Sequence, residues 1–166
     1  MANSAPEGLV TLSVLDRLID EDPKRSAEVP LTRAQALREM KAALRRDLEW
    51  LLNTRCLETE IYRGTSELAR SVFCFGLPDY SSLSQDHHDT AYELARRIER
   101  VLAVFEPRLA GAKVTLTTDE EEKTRGLRFV ITGMLRVDPR PERVSFDTML
   151  ELSSGEYQVK GDAGGR

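Results

Sequence analysis

Two carboxylates flanking a bond are the least that glycoside hydrolysis requires. Glu58, Glu60, Asp79 and Glu93 lie around the helical half of the sequence and could converge on such a site. They are, however, four of 28 acidic residues, and no apolar pocket that would raise one carboxyl's pKa is legible. His87-His88-Asp89 has the residue types of a metal cluster. Adjacent residues at a helix start point about 100° apart and do not chelate together as a His-x3-His pair would. Cys56 and Cys74 have neither a CxxC spacing nor histidine partners, and Ser81-Ser82 lacks the GxSxG context of a serine nucleophile. The glycines form no phosphate-cradling loop, and Asp119-Glu120-Glu121-Glu122 reads as a solvated turn, with a divalent-ion site as the minor alternative. The expectation is no catalytic residue, no metal and no cofactor.

Glu106-Pro107-Arg108 is a different kind of site. Pro107 fixes its own φ and pushes Glu106 toward an extended conformation. Residues two apart on an extended segment face one side, so Glu106 and Arg108 would present a rigid pair of opposite charges. Two uses of that pair stay open. It can cap the preceding helix and pair with itself, or it can be a preformed docking site for complementary charges on a partner. On the second use, Arg108→Glu should prevent docking without unfolding the protein.

The elements around these residues are well marked. Thr32-Arg33-Ala34-Gln35 fits a capping box. Leu37, Met40, Leu44, Leu48 and Leu51 recur three or four apart, which predicts a helix from Ala34 to Leu52 with one buried face. A shorter helix is expected from Ser66 to about Phe75, ended by Gly76-Leu77-Pro78. Ala91, Leu94, Ala95, Ile98, Val101, Leu102 and Phe105 predict a third, capped by Ser84 or Asp86 and stopped by Pro107. After Gly111 the period changes to two. Val114, Leu116 and Thr118 alternate with polar residues, then Leu127 to Val137, then Val144 to Leu152. Ser153-Ser154-Gly155 reads as a hairpin turn into Tyr157 and Val159. Helices followed by an antiparallel meander predict an α+β two-layer domain over 31–160, whose sheet edges are either available for strand addition from another chain or covered by the N-terminal segment or the tail. Residues 1–30 hold a short amphipathic piece, Leu12, Val14, Leu15, Leu18 and Ile19, that either docks on the core or waits for a partner. Residues 161–166 are expected to be a disordered tail.

Composition sets the outer bounds. The chain has 166 residues, 40% of them apolar and 31% charged, with a net charge of −4. That balance argues against bulk electrostatic binding to nucleic acid or anionic lipid. Val72 to Leu77 is the longest apolar run, far short of the ~20 residues that span a bilayer. No signal peptide is visible at Met1-Ala2-Asn3-Ser4, and two thiols suit a reduced, cytoplasmic compartment.

Three blocks, in order, carry a resemblance. They are Asp47-Leu48-Glu49-Trp50-Leu51-Leu52-Asn53-Thr54-Arg55, then Ser71 to Asp79 with Gly76-Leu77-Pro78-Asp79, then Phe105-Glu106-Pro107-Arg108-Leu109. Together with Val144 to Thr148 and Leu152 to Tyr157, they resemble the TssE family, the small baseplate subunits of bacterial type VI secretion systems. That family is related to the small wedge protein of contractile phage tails and carries the label lysozyme-like. The likeness runs from about Leu12 to Val159. Where relatives often have Asn-Tyr-Gly, this chain has Phe73-Cys74-Phe75 before Gly76.

The resemblance implies a non-enzymatic, structural role at the baseplate near the inner membrane. Implied partners are the baseplate proteins TssF, TssG and TssK and the sheath proteins TssB and TssC, with no nucleic acid and no direct membrane insertion. It implies a fold similar to the sheath subunit's domain, offering the first sheath ring a strand to pair with. It also implies that Glu106, Pro107 and Arg108 anchor the subunit in the wedge. The alternative from a different class is a peptidoglycan hydrolase working through a pair of the acids above. A third is a generic α+β adaptor.

Overall fold

The computed structural model describes residues 13–19, 32–56, 67–79, 88–117 and 126–162. Among these residues, three helices, α1 (Val14–Leu18), α2 (Arg33–Asn53) and α3 (His88–Phe105), precede four strands. The strands are β1 (Leu109–Thr117), β2 (Gly126–Leu135), β3 (Glu142–Glu151) and β4 (Glu156–Asp162). They form one antiparallel sheet in the order β1-β2-β3-β4. This is the expected α+β arrangement of N-terminal helices on a C-terminal meander.

The capping box starts α2 as the sequence predicts. Thr32 Oγ1 accepts from the Gln35 N–H, and the Gln35 side chain accepts from the Thr32 N–H at 2.9 Å. Ala36, Met40, Leu44, Leu48, Leu51 and Leu52 then form its buried stripe. Against this helix and α3 the sheet lays Phe129, Ile131 and Leu135 from β2 and Val144, Phe146 and Leu150 from β3. The α2 helix packs on β4 and α3 on β1, so the two helices straddle one face of the sheet. A buried leucine truncated here, such as Leu48→Ala, costs about 2–5 kcal/mol because the lost contacts leave a cavity.

The structure departs from the sequence expectation in three places. Over its described residues, 67–75, the segment expected as a helix from Ser66 to about Phe75 is not an α-helix. Its described part holds two 3-10 turns, Leu68–Arg70 and Val72–Cys74, with Val72 and Phe73 exposed. No apolar stripe faces the core there, so nothing rewards a longer helix. Gly76 does take the positive φ expected of it, +106°, but its job is a close approach. A Cβ there would stand 2.2 Å from the Thr54 carbonyl oxygen, and only glycine lets Arg55 and Leu77 bridge. Next, β1 begins at Leu109. A bulge between Ala110 and Lys113, with Gly111 at φ +62°, shifts the register by one, which hides the alternation before Ala112. Finally, β4 continues to Asp162, beyond the expected start of the tail. Gly155 turns the β3–β4 hairpin at φ +70° as predicted. The proposed caps at Ser84 and Asp86 lie outside the described residues.

Candidate docking site

The turn after α3 follows from proline chemistry and one buried leucine. The Glu106 N–H still donates to the Leu102 carbonyl at 2.9 Å, as the last helical bond. Pro107 has no N–H to continue the helix. The Leu109 N–H then reaches the Glu106 carbonyl at 3.1 Å, which closes a β-turn with Pro107 in its second position, where its fixed φ is favoured. The segment is therefore a tight turn and not the extended segment expected from Pro107. Leu109, buried and paired with Leu135, forces the reversal by starting β1 at once. Phe75 packs edge-on against Phe105 with ring centroids 5.4 Å apart, which fixes the helix end from the other side.

Glu106 and Arg108 do face each other across this turn. Arg108 Nε donates to Glu106 Oε1 at 2.7 Å and Nη2 to Oε2 at 2.5 Å, and the Arg108 backbone N–H donates to Oε1 at 3.2 Å. Glu106 is only 5% exposed. A carboxylate so enclosed needs this fork, since an unpaired buried charge costs several kcal/mol. Pro107, between them, is exposed.

The pair does not end there. Arg108 Nη2 also donates to Asp47 Oδ2 on α2 at 2.7 Å. Asp47 Oδ1 accepts from Arg46 Nε and Nη2 at 3.0 and 2.9 Å. Arg46 Nη2 goes on to Asp16 Oδ1 on α1 at 2.8 Å, and Ser13 caps that carboxylate. Arg46 also lies over the Trp50 ring, 5.4 Å from its centroid. Three carboxylates and two guanidiniums thus alternate from the turn across α2 to the first helix. The hydrogen bonds that Arg108 donates to Glu106 hold its guanidinium well above its ordinary pKa despite burial, with help from Asp47. Burial pushes the Asp16 carboxyl up, but the hydrogen bonds from Ser13 and Arg46 and the charges of Arg46 and Arg108 outweigh it. Its pKa ends below the usual carboxylate value.

Through this chain α1 is held by its polar side. Val14, Leu15, Leu18 and Ile19 are all exposed by half or more. The two outer strands carry side-chain caps. The Val114 N–H of β1 donates to Glu99 Oε1 on α3 at 2.9 Å. At β4, Asn53 Nδ2 donates to the Tyr157 carbonyl and Asn53 Oδ1 accepts from the Tyr157 N–H, both at 2.8 Å. Beside it runs an open groove of about 810 Å³ between α2 and β4, lined by Arg45, Glu49, Arg55, Glu156 and Lys160.

Of the other residues singled out in the sequence, the described ones do not gather. Asp79 is exposed and ion-paired to Arg55 at 2.7 Å, and Glu93 is exposed on α3. Glu58, Glu60, Ser81, Ser82, His87 and Asp119 to Glu122 lie outside the described residues, as do the side chains of His88 and Asp89. Cys56 and Cys74 are both half-buried. Among the described residues no three His, Cys, Asp or Glu side chains group as a metal cage, and no helix is long and apolar enough to cross a membrane.

A family model, that of the baseplate wedge protein gp25, matches residues 38–140. The chain belongs to this family. The gp25 match takes in most of α2, all of α3 and the turn that follows it, so Arg46, Asp47, Glu106, Pro107 and Arg108 all lie within it. Membership makes the chain a structural baseplate component of phage-tail type, with other baseplate and tail proteins as its surroundings. No curated protein and no solved structure matches the gp25-family chain. Sequence reading missed Arg46, Asp47 and Asp16. Their one visible signal is that Arg46 and Asp47 sit off the apolar stripe of α2.

Proposed function

We propose that this gp25-family chain is the TssE-type subunit of a type VI secretion baseplate, without enzymatic activity. It joins the wedge proteins TssF, TssG and TssK to the TssB–TssC sheath, in the cytoplasm at the inner membrane. Glu106, Pro107 and Arg108 are its wedge anchor, and an outer strand of its sheet is the template that sets the first sheath ring. Residues 1–30 act as an accessory docking segment, and the sheet shares its fold with the sheath subunit's domain. The observation that carries this reading is the turn itself. Inside the region matched to a baseplate family, an exposed proline is held rigid by an ion pair that the free chain has already formed. Order of this kind lowers the entropy cost of docking.

The test is co-purification with TssF and TssG, read by size-exclusion chromatography. The sequence alone suggested Arg108→Glu as the comparison. The structure makes that a poor choice, because a third carboxylate would then face Glu106 and Asp47 and the fold itself would suffer. Glu106→Gln with Arg108→Gln removes both charges together and avoids that penalty. The wild type should co-elute and the folded double variant should not. A wild type that elutes alone overturns the proposal.

A further inference from the structure

Within the ion chain, Asp47 occupies a singular place. It is the link between the turn and the helical layer, 61 residues away in sequence from Arg108. Each of its oxygens serves a different arginine, Oδ2 taking Arg108 and Oδ1 taking Arg46. The fork from Arg108 to Glu106 fixes the guanidinium plane, but a single carboxylate leaves that plane free to swing with the turn. A second acid on a separate, rigid element removes that freedom, because Nη2 must satisfy both at once. With Nε and Nη2 engaged, Nη1 has no acceptor among the described residues. The side chain keeps 26% of its surface in solvent.

We infer that Asp47 is a positioning residue for the docking turn. It aims the free Nη1 edge of Arg108 outward beside Pro107, toward a hydrogen-bond acceptor on the wedge partner. The inference rests on the proposed wedge function and adds to it a residue outside the turn. Because Asp47 works through Arg108, its effect on binding vanishes once Arg108 is gone. A residue that touched the partner itself would keep its effect.

The experiment is a double-variant cycle in affinity for the purified TssF–TssG pair, with the melting temperature of each variant alongside. Asp47→Asn keeps the shape and weakens the hold, and should lower affinity about 10-fold. Glu106→Gln combined with Arg108→Gln, which leaves no buried carboxylate unpaired, should lower it further, and adding Asp47→Asn to that pair should change nothing more. Asp47→Glu keeps the charge but displaces the guanidinium, so it should also bind more weakly while melting near the wild type. Unchanged affinity in both Asp47 variants, with wild type binding well, overturns the positioning role and leaves the wedge function standing. Additive losses overturn it too, since they place Asp47 in direct contact. Absence of wild-type binding removes both the wedge function and this inference.

Discussion

The carboxamide of Asn53 makes, on the main chain of Tyr157, the two hydrogen bonds that a neighbouring strand would make. Both are 2.8 Å, one donated and one accepted. Tyr157 and Val159 stand two apart on a regular stretch of β4, so their peptide groups face the same outer edge. The last residue of a helix thus closes the first outward position of an edge strand, and it stands where a ladder would otherwise begin.

Asn53→Ala should therefore act twice. Losing the two bonds should lower stability by about 1–3 kcal/mol, measured by urea denaturation. The opened edge should also raise self-association, seen as a concentration-dependent sedimentation coefficient. A variant as stable and as monomeric as the wild type would contradict this account of the edge.

Acid should weaken the fold through two identified carboxylates. Hydrogen bonds from Arg128, opposed by burial and aided by the charges of Arg128 and Lys160, hold Asp147 below its ordinary pKa. Asp16 is lowered as described above. A depressed folded-state pKa stabilises the native state above the unfolded value, near 3.8 for both groups, and that stability fades as pH falls through the folded pKa. Urea midpoints should hold from pH 7 to about 5 and then drop. Asp147→Asn should flatten the drop, and an unchanged acid limb would show that the Arg128 pair contributes nothing.

Thr148 is fully buried on the core face of β3, and its hydroxyl has no hydrogen-bond partner among the described residues. Thr148→Val keeps the shape and removes the unmet polar group, so it should stabilise the protein by about 1 kcal/mol. A lower melting temperature would mean that the hydroxyl is bonded after all.

Purified protein added to cell-wall peptidoglycan should leave turbidity unchanged over hours. Clearing that is lost on substituting one acid among Glu58, Glu60, Asp79 and Glu93 would overturn the non-enzymatic reading in favour of a hydrolase.

The layers of this fold were readable because they rest on local periodicity. The leucine stripe of α2, the apolar face of α3 and the alternation of β2 and β3 each repeat often enough to name their element. Segments without repetition were not readable. Leu68 to Cys74 has apolar residues but no face that meets the core, and Gly111 breaks the phase of β1 just where its first residue is buried. The site divided in the same way. Pro107 and its flanking charges declare a rigid pair locally, so that pairing is where the sequence placed it. Turn against strand was settled by Leu109, and the tie to Asp47 depends on how α2 lies against α3, which no short window contains.

The burial of Glu106 bears on how a partner would recognise this surface in salt. The two charges of the turn are neutralised within the chain before any encounter, so counter-ions in the medium have little left to screen. On the proposed docking, recognition would be by contour and by the direction of one N–H edge. A complex formed on it would hold nearly the same affinity in dilute buffer and in concentrated potassium chloride.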